Sequence, residues 1–202
     1  RTSEKMSDEE LLSRHVAGDA ESFRELVHRY TPELSRFLMR FLGRQAWTED
    51  AIQETFLQVH VSAGTFDPAR RVKPWLFTIA ANKARDLLRS RSRRREVSIG
   101  GSPGDQSGDV SVVTLDILEG AVEPPPTEGT IEDETAGRVR RVVATLPGHL
   151  REVLILGYFH RFQYKEIAGI LNVPIGTVKS RLHAAVAQFG AAYRRVESTE
   201  SS

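Results

Sequence analysis

Residues 163–185 read QYKEIAGILNVPIGTVKSRLHAA, which is the pattern of two helices joined by a tight turn. Ile167 and Leu171 lie four residues apart and give the first helix an apolar face. Asn172 falls where the turn needs a residue that tolerates left-handed backbone angles. Pro174 falls where the second helix begins, in the one helical turn that tolerates a missing N–H. This stretch therefore predicts a helix-turn-helix.

The second helix of this motif has a polar outer face. Val178 and Leu182 are four residues apart, so both are predicted to turn inward and hold the helix against its neighbours. The remaining side chains are cationic or hydrogen-bonding, which suits a helix that enters the major groove of DNA. The alternative is an ordinary solvated helix in a bundle. The predicted DNA-contacting residues are Thr177, Lys179, Ser180, Arg181 and His183.

Charge is strongly segregated along the 202 residues, although the formal net charge is only +1. Residues 70–95 carry 10 Lys and Arg against a single acid, and residues 136–195 carry 10 against 2. Between them, residues 96–135 carry 10 Asp and Glu and no Lys or Arg. This distribution predicts two surfaces for a polyanion, joined by a segment that stays off it.

Composition excludes several classes of site and favours others. The chain has no Cys, so it has no disulfide, thiolate metal site or cysteine nucleophile, and it suits a reducing cytoplasm. No apolar run approaches membrane-spanning length, and the first ten residues lack the layout of a secretory signal. No hydrolase, zinc-protease or phosphate-loop motif is present, and the six His are scattered. We therefore predict a cytoplasmic protein that is not an enzyme and holds neither cofactor nor metal.

Helical periodicity runs through residues 8–95. Ser7 or Asp8 can cap the first helix. Gly43 can end the helix whose apolar residues run from Leu34 to Leu42. Thr48 is predicted to cap the next helix, and Pro74 to open the basic helix that follows a loop.

The helix after Thr48 also carries an acid and amide ridge opposite its apolar stripe. Such a ridge is usually just solvated; the functional alternative is a docking face for a basic or amide-rich partner. The ridge consists of Asp50, Gln53, Glu54 and Gln58.

The organisation predicted for the chain is all-α. Residues 96–134 lose periodicity and are rich in Gly, Ser, Pro and acids, which is typical of a flexible linker. We therefore predict two small helical domains, residues 8–95 and residues 135–196, joined by this acidic linker, with the helix-turn-helix in the second domain.

With these features assembled, the chain resembles the extracytoplasmic-function sigma factors, the minimal two-domain class of the bacterial sigma family. The resemblance is carried by EDAIQETFLQVH (residues 49–60), by FDPARRVKPWLFTIAANKARDLLRSRSRRR (residues 66–95) and by residues 146–185, which include the helix-turn-helix. All three occur in the family's order, with a variable linker after the second.

The resemblance implies a role for each part. The ridge at residues 50–58 would dock on the clamp helices of the largest subunit of core RNA polymerase, and the linker would thread towards the active-site cleft. The second domain would recognise the minus-thirty-five promoter element, and an anti-sigma factor would be the expected regulator. The residues implied to open and recognise the minus-ten element are Arg70, Arg71, Lys73, Asn82, Lys83, Arg85 and Arg89.

Two other classes of protein remain open from the residues alone. A two-domain helix-turn-helix regulator outside the polymerase, of the response-regulator kind, has a similar recognition helix. It would need an α/β receiver, whereas residues 1–95 show helical periodicity without strand patterns. The second alternative is an adaptor that binds protein through both helical domains.

Overall fold

The computed structural model describes residues 6–98 and residues 131–200, and within them every regular element is a helix. The predicted all-α fold is confirmed. Most of the predicted linker, residues 96–134, lies outside the described residues. The helices are α1 (Asp8–Val16), α2 (Ala20–Leu42), α3 (Gln45–Ser62), α4 (Val72–Ser98), α5 (Ile131–Thr145), α6 (Gly148–Leu154), α7 (Tyr164–Leu171) and α8 (Ile175–Glu200).

The first unit consists of α1 to α4, and its helix ends follow local rules. Ser7 and Glu10 form a reciprocal capping box at the start of α1. Asp19 caps α2 by accepting from two backbone N–H groups, and the helix then continues through Pro32 without a break. Gly43 ends α2 in the left-handed conformation, with φ of 74°. The caps predicted at Ser7 and Gly43 are confirmed.

Two predicted helix starts were wrong, the first by four residues and the second by two. Thr48 does not cap α3, because the helix already begins at Gln45. The Thr48 side chain is buried in the first turn, where its hydroxyl donates to the Arg44 carbonyl over 2.9 Å. Likewise α4 begins at Val72 rather than at Pro74, since the Val72 N–H finds an acceptor in the Glu9 carboxylate of α1 at 3.0 Å. A Pro in the first helical turn costs no hydrogen bond.

The second unit consists of α5 to α8 and contains the predicted helix-turn-helix. Asn172 ends α7 with φ of 53° and ψ of 50°, the left-handed geometry that its position in the sequence predicted. Ile167 and Val178 are completely buried where α7 and α8 cross. The N–H groups of Thr177 and Val178 donate to the Pro174 carbonyl, so this proline stands at the entry to α8.

The two units pack against each other through aromatic side chains, an arrangement that the sequence did not predict. Phe77 of α4 meets Phe162, which precedes α7, edge to face with ring centroids 4.9 Å apart. His160 follows a π-helical turn (Ile155–Phe159) and lies 5.0 Å from the Phe77 ring and 5.7 Å from Phe37 of α2. Buried side chains of both units therefore form one continuous apolar cluster.

A buried arginine ties the end of α2 to the second unit. The Arg151 side chain, on α6, has no solvent exposure. Its guanidinium donates to the Phe41 carbonyl in the last turn of α2 at 3.0 Å, and to the carbonyls of Ala144 and Leu146 at 2.7 and 2.8 Å. Burial lowers the pKa of Arg151 to about 10, so the side chain stays cationic at neutral pH. A cation at two helix C-termini is favourably placed against the carbonyl dipoles.

A carboxylate on α2 forms a second polar link between the units. Glu33 accepts from the Lys73 ammonium of α4 at 2.6 Å and from the His160 ring at 3.5 Å. The hydrogen bond from His160 and the ion pair with Lys73 lower the pKa of Glu33 from 4.5 to about 2, against the opposing effect of burial.

The turn of the helix-turn-helix gives a first prediction. Replacing Asn172 by Val should destabilise the protein by about 1–2 kcal/mol, because a β-branched residue is strained at positive φ. Asn172→Gly should be close to neutral, since Gly adopts this geometry freely. Urea unfolding of both variants measures the difference. Equal losses of stability would show that the side chain, rather than the backbone angle, matters.

The low pKa of Glu33 gives a second prediction. A carboxylate with a depressed pKa stabilises the fold above its unfolded pKa, and the contribution is lost as pH falls towards the folded value. Glu33→Gln should therefore lower the free energy of unfolding by roughly 2 kcal/mol above pH 5, and the difference from the unaltered chain should shrink as pH falls towards 2. Urea unfolding across this pH range is the measurement. Glu21→Gln, on the exposed start of α2, is the control; a pH-independent difference at Glu33 would contradict the assignment.

Candidate nucleic-acid interface

The outer face of α8 presents the predicted recognition residues together. Val178 and Leu182 turn towards the core as predicted, the first completely and the second partly buried. All five predicted side chains lie within two helical turns on the remaining surface. Lys179, Ser180 and His183 are exposed, and Thr177 and Arg181 are half-buried. A protruding helix with this face has the geometry of a major-groove recognition helix.

Two cations of the basic block at residues 70–95 pair with acids that are near in sequence. Arg70 contacts Asp67 at 3.5 Å, and Arg89 contacts Asp86 at 2.8 Å, one turn away in each case. These pairs are largely exposed, and exposed ion pairs typically contribute only about 0.2–1 kcal/mol. A phosphate group can therefore replace their carboxylates at little cost.

The acid and amide ridge of α3 lies directly beside this basic face. Asp50, Gln53 and Glu54 are exposed, and Gln58 is half-buried. Glu54 contacts Lys83 of α4 at 3.4 Å, and Asp50 contacts Arg91 at 3.5 Å. The sequence placed these two surfaces on separate helices, and the packing of α3 against α4 makes them neighbours.

An open groove of about 520 Å³ runs along the other side of the ridge. Gln53 of α3 and Met39 of α2 line it, and Arg140 of α5 reaches it from the second unit. Arg36 and Arg40 complete a positive wall. The pKa of Arg40 is lowered by burial and by the like charges of Arg36 and Arg140. The groove therefore favours an occupant with acidic side chains.

Two of the predicted minus-ten cations are instead turned towards the second unit. Arg85 forms a forked pair with the Glu152 carboxylate of α6, with N–O distances of 2.7–3.2 Å, and also donates to the Asn82 side chain at 2.9 Å. Arg71 donates to Glu166 of α7 at 2.8 Å. Both predicted DNA contacts are thus engaged by carboxylates from the other unit.

The sequence did not single out the residues that make these contacts. Glu152 and Glu166 are the two acids among residues 136–195. Their isolation among cations was the one sequence feature that could have pointed to these contacts. Arg151 was counted only as part of a basic block, and Glu33 and His160 carried no motif. Their significance depends on which surfaces meet, and helical periodicity within one element does not specify that.

Two further features bear on the kind of site present. Within residues 6–98 and 131–200, no three His, Asp or Glu side chains gather where they could hold a metal ion. In the same part of the chain, no helix is both long and apolar enough to cross a membrane.

Both helical units match known families. Residues 26–94 match the family described as Sigma-70 region 2, and residues 136–189 match Sigma-70, region 4. The chain is 30% identical to the RNA polymerase sigma-H factor of Pseudomonas aeruginosa over 182 residues, which cover 88% of this chain and 89% of that protein. It is 28% identical to the ECF RNA polymerase sigma factor SigW of Bacillus subtilis over 168 residues, or 82% and 86% of the two chains.

A solved structure agrees with the fold. The sigma factor RpoE of Bartonella quintana, solved with the anti-sigma factor NepR, superposes with a TM-score of 0.67 at 22% identity, covering 87% of this chain and 98% of that one. Both family regions lie in the expected order, and the matched relatives are similar along nearly their whole length. The chain therefore belongs to the extracytoplasmic-function sigma factors of bacterial RNA polymerase.

Proposed function

We propose that this sigma factor binds core RNA polymerase through the acid and amide ridge of α3. Asp50, Gln53 and Glu54 project from one side of a helix that is held rigidly by its buried stripe, including Phe56 and Val59. Gln58 extends the same side by one turn. Carboxylates and amides on a fixed helix can pair with a cationic partner helix, and the positive groove beside them can receive that partner's acids.

The basic block at residues 70–95, which consists of the end of the preceding loop and most of α4, is assigned to the minus-ten element. Its cations would hold phosphates, and Asn82 is exposed where it can approach a base. The ring of Trp75 is partly buried against Phe66, with centroids 4.8 Å apart, which supports a packing role rather than direct stacking on a base. The assigned contacts are Arg70, Arg71, Lys73, Asn82, Lys83, Arg85 and Arg89.

The outer face of α8 is assigned to the minus-thirty-five element. The observation that supports the proposal is the composition of this face, which has five hydrogen-bonding or cationic side chains. Buried Val178 anchors the helix, and the turn at Asn172 precedes it. Arg181 is the residue best suited to a forked contact with a guanine, because its guanidinium presents paired donors.

The remaining assignments follow from the same division of labour. Residues 8–95 form the polymerase and minus-ten domain, residues 96–134 the acidic linker, and residues 135–196 the minus-thirty-five domain. The protein acts in the cytoplasm as a binding subunit and performs no catalytic step itself.

RpoE of Bartonella quintana was solved with an anti-sigma factor, and we propose that a partner of this class regulates the present chain. A regulator outside the polymerase is not favoured, since the first unit matches sigma region 2.

Charge reversal at one residue of each proposed surface tests the two roles independently. Arg181→Glu should reduce promoter-specific transcription at least about tenfold, because a lost base contact is worth about 1–3 kcal/mol and the new charge repels phosphate. Its affinity for core polymerase should stay unchanged. Glu54→Arg should instead weaken core binding. Anisotropy of the labelled chain with core polymerase, and run-off transcription from the promoter of its own gene, are the two measurements.

Matched control variants test whether the losses of transcription and of polymerase binding depend on the position of the change or only on net charge. Arg194→Glu lies on the exposed continuation of α8, and Glu21→Arg on the exposed start of α2. Both should behave like the unaltered chain in both assays. Equal effects of Arg181→Glu and Glu54→Arg in both assays would contradict the division of labour, and an unaltered chain without affinity for core polymerase would overturn the proposed function.

A further inference from the structure

Two histidines that are distant in the sequence meet at the ends of two helices of the first unit. His15 lies in the last turn of α1 and His60 in the last turn of α3, 45 positions further along the chain. Their facing ring nitrogens, Nε2 of His15 and Nδ1 of His60, are 3.1 Å apart. The six histidines look scattered in the sequence, but the fold brings these two together.

Aromatic packing holds both rings in place from one side. Phe23 of α2 stacks on His15 with ring centroids 4.4 Å apart, and its centroid lies 5.6 Å from that of His60. Phe23 itself meets Phe56 of α3 edge to face at 6.5 Å. The His15 ring is half-buried and His60 is exposed, so solvent reaches the pair. The two imidazoles are therefore positioned before any ligand arrives, which lowers the entropy that binding must offset.

The separation of the two nitrogens fits two ligands of one metal ion. Metal–imidazole bonds are about 2.0–2.1 Å long for zinc, so a right angle at the metal places the two nitrogens roughly 2.9 Å apart and a tetrahedral angle about 3.4 Å apart. The 3.1 Å between His15 and His60 lies within this range. A hydrogen bond between the two rings has a similar length, so the experiment must distinguish a metal site from a hydrogen-bonded pair.

The chemistry around the pair favours a late transition metal. Imidazole is a preferred ligand of zinc, nickel and copper, whereas magnesium and calcium prefer oxygen ligands. The chain has no Cys that could compete for such an ion. Asp19, which caps the next helix, interacts electrostatically with His15 and adds a negative charge near the site. A divalent cation at the two rings is thus close to a carboxylate that is already fixed in place.

We propose that His15 and His60 form a two-histidine binding site for a divalent late transition metal of the zinc, nickel and copper class. The chain supplies two ligands, and water completes the coordination. The bound ion cross-links the end of α1 to the end of α3. Neither histidine belongs to the residues assigned to polymerase or to promoter DNA, so this site goes beyond the proposed function.

The test titrates the metal-free full chain with Zn²⁺ and, separately, with Ni²⁺ by isothermal titration calorimetry. His15→Gln and His60→Gln each remove one ligand, and His28→Gln removes an exposed histidine of α2 as the control. The parent and the control should bind one ion with equal affinity. Each ligand variant should bind at least about tenfold more weakly, because the second imidazole of the parent binds as an intramolecular ligand. Mg²⁺ should give no binding heat.

A spectroscopic measurement counts the ligands without relying on affinity. Electron paramagnetic resonance of the parent with one equivalent of Cu²⁺ should show coupling to two imidazoles, and His60→Gln should show coupling to one. His60 is exposed, so this variant should keep the fold even if His15→Gln loses it, and circular dichroism establishes the helix content of each protein.

Equal Zn²⁺ affinity in the parent and in His60→Gln, or coupling of Cu²⁺ to fewer than two imidazoles in the parent, would overturn the proposal and leave a hydrogen-bonded histidine pair. Run-off transcription with a chelator of transition metals keeps this outcome separate from the proposed function. His15→Gln/His60→Gln should transcribe like the parent there. Lost transcription in the parent, with metal binding as expected, would reject only the promoter role.

Discussion

The structure depends on a buried cation that serves two helix ends at once. Arg151 fills the space between the last turn of α2 and the segment that joins α5 to α6, and it donates to carbonyls on both sides. Helix C-termini leave carbonyls without intrahelical partners, and a buried one is costly unless a donor reaches it. One side chain satisfies this need in both units. Their relative position is thereby fixed at the point where the apolar clusters merge.

The same packing brings unlike charges together from surfaces that have separate tasks. The ridge of α3 lies against the basic face of α4, and the cations Arg71 and Arg85 in turn meet Glu166 and Glu152 of the second unit. Exposed pairs such as Arg89 with Asp86 contribute little and exchange easily with solvent or phosphate. The shielded pair of Arg85 with Glu152 differs, because removing either partner leaves the other charge poorly hydrated. Burial, more than pairing itself, distinguishes a weak surface contact from a strong one.

The packing of the two units leaves one predicted DNA-binding face exposed and covers part of another. The outer face of α8 stays on the surface, whereas Arg85 of the basic block at residues 70–95 is largely covered by Glu152. Carboxylates and phosphates present similar anionic oxygens to arginine, so the two groups suit the same guanidinium. The groove lined by Gln53 and Arg140 places the acid and amide ridge next to the contact between the two units.

The sequence by itself determined the helices, the helix-turn-helix and the family. Local rules were sufficient there: Asn172 adopts the left-handed turn, Gly43 ends α2, and apolar spacing places Val178 inside. The starts of α3 and α4 were missed because a carbonyl four residues back holds Thr48 and a carboxylate on α1 receives the Val72 N–H. Only the tertiary structure decided that the two units share a core and that Glu152 meets Arg85. Periodicity and capping act over a few residues, whereas the pairing of surfaces depends on shape and charge between side chains distant in sequence.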